Sequence, residues 1–325
     1  MPRVCSAGPM GELRIGLIGG GMVAAHHARA WERAPRARLV AIADPDVEAA
    51  TRLAGGTLPV FSDLTALLAG TEVDAIDIAT PVGTHAALVT EALAAGVPVL
   101  CQKPLAPTAR EAHDLVAALP ARPRAMLHEN WRWRPSFRAL HQSLSGGPRP
   151  RRFEMRVESS GLCPDARGVC PALVRQPFLA DLEHLLVFEI LGHHLDVLSF
   201  LFGPVEILSA ETRRRSDAVR GEDFARIELR AGGIDGRLTG DLMVADAPPR
   251  PRDRVMLDGR TVLFDWRLDL PGGLHAWDHD AGYQQSFDDC IGHFAARLQD
   301  GAPFETPLDH GLTLLEQIER VYALA

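Results

Sequence analysis

The first third of this 325-residue chain alternates short apolar runs with helical runs, and that rhythm restricts the fold more than any other feature. Strand-like runs occur at Arg14–Gly20, in ARLVAIADP up to Asp44, in PVFSD, at Val73–Thr80, in VPVLCQKP and in RAMLHEN. Between them lie helical runs at Met22–Arg33, Val47–Ala54, Leu64–Ala69 and Thr84–Ala95, with Gly96 as the helix stop, and AREAHDLVAAL. Strands that alternate with helices predict a doubly wound parallel sheet. The apolar run Val73–Thr80 lacks clean alternation, as expected of a strand buried on both faces.

Beyond Glu129 the rhythm changes. Arg152–Ser159 and Phe224–Arg230 alternate apolar and polar residues, and DGRLTGDLMV, RVMLDG and RTVLFDW follow with turns between them. These predict an open, mainly antiparallel sheet with one covered face. A long helix over Leu182–Phe202 interrupts the strands, Gly161–Gln176 reads as a loop, and helices near Gln284–Gln299 and Gly311–Ala323 end the chain. At about 150 residues per domain the length suits two domains. The expected division is a loose tail over 1–11, a first domain over 12–128 and a second over 129–325, with the terminal helix 311–323 free to pack back on the first domain. The fold class is therefore α/β: a Rossmann-type sheet followed by an α+β domain.

Composition removes several function classes. Lys and Arg number 34 against 42 Asp and Glu, a net charge of −8, whereas a nucleic-acid or anionic-membrane binder needs a basic surface. No apolar run reaches the roughly 18 residues of a membrane span. MPRVCSAGPMGEL lacks the apolar core of a signal peptide. The five cysteines are scattered and odd in number, which suits a reduced, cytoplasmic protein.

Three motifs carry chemistry. The first is Gly19-x-Gly21-x-x-Ala24, placed between a strand and a helix. Gly19 permits a tight turn, Gly21 a close backbone approach to a pyrophosphate, and Ala24 close packing. The helix that begins at Met22 then directs its N-terminus at the phosphates. Asp44 ends the second strand, 23 residues after Gly21, where a carboxylate accepts both ribose hydroxyls and repels a 2′-phosphate. The expected cofactor is NAD, with NADP disfavoured. The second motif is Gln102-Lys103-Pro104, at the carboxyl end of a parallel strand, where such sheets bind ligands. Proline holds Lys103 in a non-helical turn. The third is the stripe Glu189, His193 and Asp196 on the apolar helix. Spacings of four and three place them on one helical face, and burying them is costly unless they are paired or meet a ligand. His193 suits a general base, whereas a structural ion cluster is the bland reading of the same stripe. His194 projects elsewhere on the helix. Cys163 and Cys170 lack zinc spacing, and no metal is expected.

Other residues complete the candidate list. Thr80 and Pro81 would line the cofactor, with His85 packing at the start of its helix. Trp131 and Arg132 follow the last strand of the first domain, and Arg175 lies just before the apolar helix. His275, Asp278 and His279 read equally well as a lid or a solvated loop, and His26 and His27 as helix surface.

These residues resemble the glucose–fructose oxidoreductase, inositol dehydrogenase and MocA family over nearly the whole chain. The resemblance rests on the Gly19–Ala24 loop, Asp44, ATPVGTHAALVTEALAAGVPVLCQKP, NWRWRP and EILGHHLD. CQKPLAPT, HENWRWRP and RQPFLADLEHLLVFEILGHHLD are similar to its D-apiose-oxidising branch. The family pattern is Glu-Lys-Pro and here Gln102 replaces the glutamate; Glu189 stands where the family commonly has Asp. The resemblance implies NAD-dependent oxidation of a sugar or polyol hydroxyl, such as D-apiose to its lactone. It gives Lys103, His193 and Glu189 catalytic roles. Gly19, Gly21, Met22, Asp44, Thr80, Pro81, Gln102 and Lys103 would hold cofactor. Trp131, Arg132, Arg175, Glu189 and His193 would hold substrate. It also implies a homodimer or homotetramer built through the C-terminal sheet. An NAD-retaining glycosidase and a non-catalytic NAD sensor are the competing functions.

Overall fold

The structure, a computed structural model, describes residues 11–325; the expected tail lies almost wholly outside them. The chain divides into two units. In the first, strands β1 (Leu13–Ile18), β2 (Ala37–Ala43), β3 (Val60–Phe61), β4 (Ala75–Ile78), β5 (Val99–Gln102) and β6 (Ala125–His128) form one parallel sheet in the order β3-β2-β1-β4-β5-β6. The helices between them are α1 (Met22–Arg33), α2 (Val47–Ala54), α3 (Leu64–Gly70), α4 (His85–Ala94) and α5 (Ala109–Ala118). Every residue of β4, β5 and β6 is buried, as a sheet covered on both faces requires. The strand order reverses between β1 and β4, and in such sheets the crevice at that switch is the ligand site.

The first unit also takes in Tyr283–Leu315, which corrects the expected boundary at Glu129. The reason is packing. Phe287, Ile291 and Phe294 of α9 (His279–Asp300) lie in one core cluster with Leu13, Trp31 and Met126. Thr306 also exchanges backbone and side-chain hydrogen bonds with Leu127 at 2.6–2.7 Å. Apolar periodicity marks these residues as core but does not show which core they join.

In the second unit, β7 (Arg152–Glu158), β8 (Val205–Arg213), β9 (Phe224–Ala231), β10 (Ile234–Asp241), β11 (Arg252–Leu257), β12 (Arg260–Phe264), β13 (Arg267–Leu270) and β14 (Gly273–Ala276) form an eight-stranded sheet. Its order is β14-β13-β12-β11-β7-β10-β9-β8, antiparallel except for the β7–β10 pair. Burial alternates along β7 and β9, as the period-two pattern predicts. Arg230–Asp235 and Arg237–Glu228 pairs cross the strands on exposed positions. Helix α8 (Gly192–Phe202) is almost wholly buried, and Phe202 stacks on Phe153 at 4.6 Å. Two further helices belong to this unit: α6 (Pro135–Ser145) and α7 (Pro171–Arg175), the latter inside the expected loop 161–176. Helix α10 (Leu308–Leu324) begins in the first unit and ends in the second. No helix among the described residues is long and apolar enough to cross a membrane.

Candidate active site

The nucleotide side is built from three turns at carboxyl ends of the parallel strands. After β1, Gly19 has φ +120°, and a Cβ there would stand 2.3 Å from the Ala79 carbonyl oxygen. Only glycine fits. Gly21 caps α1, and a Cβ there would meet nothing within 4 Å, so its face is open. Asp46, Asp63 and Thr108 cap α2, α3 and α5 with side-chain oxygens, whereas α1 has neither a side-chain cap nor an acid in its first turn. An uncapped helix N-terminus beside an open glycine is what a pyrophosphate requires, so the residues fit a dinucleotide. Met22, the first residue of α1, is 62% exposed.

Asp44 does more than end β2. One carboxylate oxygen accepts the Gly20 N–H at 2.7 Å and the other the Asp46 N–H at 2.7 Å. The carboxylate thus ties the glycine turn to the start of α2, and each oxygen keeps lone-pair capacity for a ribose hydroxyl. After β4, Thr80 and Thr84 share a hydroxyl hydrogen bond at 2.7 Å, and Thr84 donates to the Pro81 carbonyl. After β5, Lys103 is half-buried and joined to Pro104 by a cis peptide bond. Its backbone N–H donates to Gln102 Oε1 at 3.0 Å, and His128 Nδ1 lies 3.1 Å from the same oxygen.

Beneath these turns is a polar cluster that sequence reading missed. His27 is fully buried, not on the helix surface as expected, and its Nδ1 lies 2.8 Å from the Asp77 carboxylate. Trp31 Nε1 donates to the same carboxylate at 2.7 Å. The His27 and His128 rings lie 4.3 Å apart. Asp77 falls inside an apolar strand run, so its partners are visible only in three dimensions. Arg132 is also buried: its guanidinium lies 3.0 Å from His310 Nε2 and 3.9 Å from Glu305. Trp131, by contrast, is partly exposed.

The stripe Glu189, His193 and Asp196 lies in the second unit. The expected helix Leu182–Phe202 starts later and differently: Leu186–Leu191 is a π-helical turn that runs into α8. Its start is fixed by remote groups. Glu222 accepts the N–H groups of Leu185 and Val187 at 3.3 and 2.9 Å, and the Tyr322 hydroxyl donates to it at 2.7 Å. Burial and the Glu222 charge push the Tyr322 hydroxyl well above its ordinary pKa. The π turn changes the phase of the stripe, because Glu189 sits in it and His193 and Asp196 in the regular helix. Glu189 is half-buried, His193 is 8% exposed and Asp196 fully buried.

Next to His193, His194 is locked in place. Its Nε2 lies 2.8 Å from Asp253 and its Nδ1 3.0 Å from the Ile190 carbonyl. Arg134 donates to the other Asp253 oxygen at 2.7 Å and stacks over Trp266 at 5.0 Å. Burial alone would raise the Asp253 carboxyl, but the charges and hydrogen bonds of His194 and Arg134 outweigh it and hold the pKa below the ordinary value. Arg175 donates to the Pro249 carbonyl at 3.1 Å and lines a cavity of about 370 Å³ with Arg250, Asp265 and His279. Asp278 caps α9 by accepting the Ala281 N–H, and His275 lies on the exposed β14.

Comparison with known proteins bears on the family and the fold. Residues 13–129 match the GFO/IDH/MocA model, an oxidoreductase family with an NAD-binding Rossmann fold. A D-apiose dehydrogenase of Paraburkholderia graminis is 38% identical over 266 residues, 78% of this chain and 68% of that protein. An inositol 2-dehydrogenase of Paenarthrobacter aurescens is 36% identical over 239 residues, 70% and 67% of the two chains. A solved oxidoreductase from Agrobacterium radiobacter, in complex with NAD+, L-tartaric acid and magnesium, superposes with TM-score 0.83 at 27% identity, over 97% of this chain and 96% of that one. The chain belongs to the GFO/IDH/MocA family of oxidoreductases.

Proposed function

We propose that this chain oxidises a secondary or anomeric hydroxyl of a sugar or polyol, with NAD favoured over NADP and D-apiose as the first candidate substrate. The observation that carries the reading is the uncapped α1 at Gly21, with Asp44 tied to the glycine turn beside it. Gly19, Gly21, Met22, Asp44, Thr80, Pro81, Gln102 and Lys103 hold the cofactor. Asp44 favours NAD because its carboxylate is fixed by two backbone donors and repels a 2′-phosphate. When bound, the nicotinamide supplies the hydride acceptor.

The chain's own residues handle the proton and the charge. His193 accepts the hydroxyl proton, and its low exposure shields that transfer from bulk water. Lys103 donates a hydrogen bond to the same oxygen and stabilises the negative charge that develops there. Glu189 orients His193 or binds the neighbouring hydroxyl, and Trp131 offers a ring face to the sugar. Arg175 gives one N–H to the Pro249 carbonyl and keeps others for a substrate hydroxyl. Arg132, whose guanidinium lies 3.0 Å from His310 and 3.9 Å from Glu305, holds substrate beside Trp131. Homodimers or homotetramers form through the sheet of the second unit.

Purified protein is mixed with NAD or NADP and a panel of D-apiose, other pentoses, hexoses and inositols, and reduced nicotinamide is followed by absorbance. Turnover with NAD on D-apiose, absent in Lys103→Ala and His193→Ala, is the expected result. Bound NAD with no net reduction on any sugar would contradict it and favour a retained-NAD glycosidase or a sensor.

A further inference from the structure

His85 is the first residue of α4 and has no exposed surface. Its Nδ1 lies 2.8 Å from the Pro104 carbonyl oxygen and its Nε2 2.9 Å from the Thr80 carbonyl oxygen. Those two carbonyls belong to the turns after β5 and β4, two of the three turns assigned to the cofactor. A neutral imidazole has one N–H and donates to one carbonyl, whereas a protonated ring donates to both. Burial pushes the ring pKa down, the two carbonyls push it up, and the charge of Lys103 pushes it down again. On the other side of the same turn, Gln102 Oε1 accepts the Lys103 N–H. The backbone on both sides of the Lys103 side chain is therefore tied by side chains, that of the adjacent Gln102 before it and that of the remote His85 after it.

We infer that His85 is a positioning residue for Lys103: through the Pro104 carbonyl it holds the lysine turn in register with the Thr80 turn. The inference rests on the reading that Lys103 meets the substrate hydroxyl. A ring that only filled space under α4 would need neither nitrogen aimed at a carbonyl.

Two conservative variants separate these roles. Asparagine places its amide N–H near the Nδ1 position, toward Pro104, and glutamine places its own near Nε2, toward Thr80. His85→Asn therefore keeps the bond that holds the lysine turn and His85→Gln keeps the other; His85→Phe keeps neither. Expected is a kcat for His85→Asn within about threefold of the parent, and a kcat about tenfold lower for His85→Gln and His85→Phe, the effect of one lost hydrogen bond. The KM for NAD changes little in all three. Amide hydrogen exchange of the full chain, read by mass spectrometry over residues 101–106 without sugar, gives the same order: slow for His85→Asn, faster for the other two. That readout needs no turnover, so it answers even for a chain that oxidises none of the sugars tried. Equal losses in the Asn and Gln variants, or unchanged exchange at Lys103 in all three, would overturn the inference.

Discussion

The candidate residues of the two units are placed by different physics. In the first unit, the proposed cofactor contacts rest on backbone: a glycine at positive φ, an uncapped helix end and a turn before proline, all within a few residues of a strand end. In the second, the residue proposed as base stands on a helix whose start depends on groups far away in the chain. Glu222 lies 35 residues from the Val187 N–H that it accepts, and Tyr322 lies 100 residues from Glu222. Local turn chemistry leaves a mark in the sequence; a long-range cap does not.

That contrast can be broken by substitution, and the largest effect belongs to the remote network. Asp253→Ala leaves His194 and Arg134 buried without their shared carboxylate, a change of about 3–5 kcal/mol. Denaturant unfolding should show it as a lower midpoint for the second unit, while NAD affinity stays near that of the parent. Loss of NAD binding along with it would mean that the two halves are not energetically separable.

A smaller effect of similar logic is expected from Glu222→Gln. It weakens the cap of the π turn by about 1–3 kcal/mol. If that cap positions His193, kcat falls and the KM for NAD does not. Gly19→Ala is its mirror image. The added Cβ meets the Ala79 carbonyl and the positive φ disfavours it, at about 1–3 kcal/mol. Isothermal titration should find NAD binding weakened while α8 keeps its hydrogen-exchange protection.

The smallest effect is a pH dependence. The folded Asp253 carboxyl titrates below its unfolded value, so its stabilisation is complete above about pH 4 and disappears as the pH falls through the lower folded value. Thermal melts of the parent between neutral pH and pH 3 should show this loss, and Asp253→Asn should flatten it. A parent melt independent of acid would show that the carboxylate is not paired as described.

Sequence patterns were enough for the doubly wound parallel sheet and for the placement of Gly19, Gly21, Asp44 and Lys103 at strand ends, because each follows from spacing to an apolar run. They missed His27 with Asp77, and His194 with Asp253, because the partners are 50 and 59 residues apart. An aspartate inside an apolar strand and a second histidine on an apolar helix are the only local signs of these pairs. The helix start at Leu182 was misplaced for the same reason: its N-terminal N–H groups are satisfied by Glu222 and not by a neighbouring cap. Helix α6 was absent from the sequence reading although Pro135 stands at its first turn, a signal that was available.

The central proposal is that Lys103 and His193 act on the same substrate hydroxyl. A double-mutant cycle tests it most directly: kcat for the parent, Lys103→Ala, His193→Ala and the double variant on the best sugar, with NAD binding checked in each. Two groups acting on one oxygen are strongly non-additive, so the double variant should be about as slow as the slower single one. Losses that multiply, as for independent sites, would contradict the account.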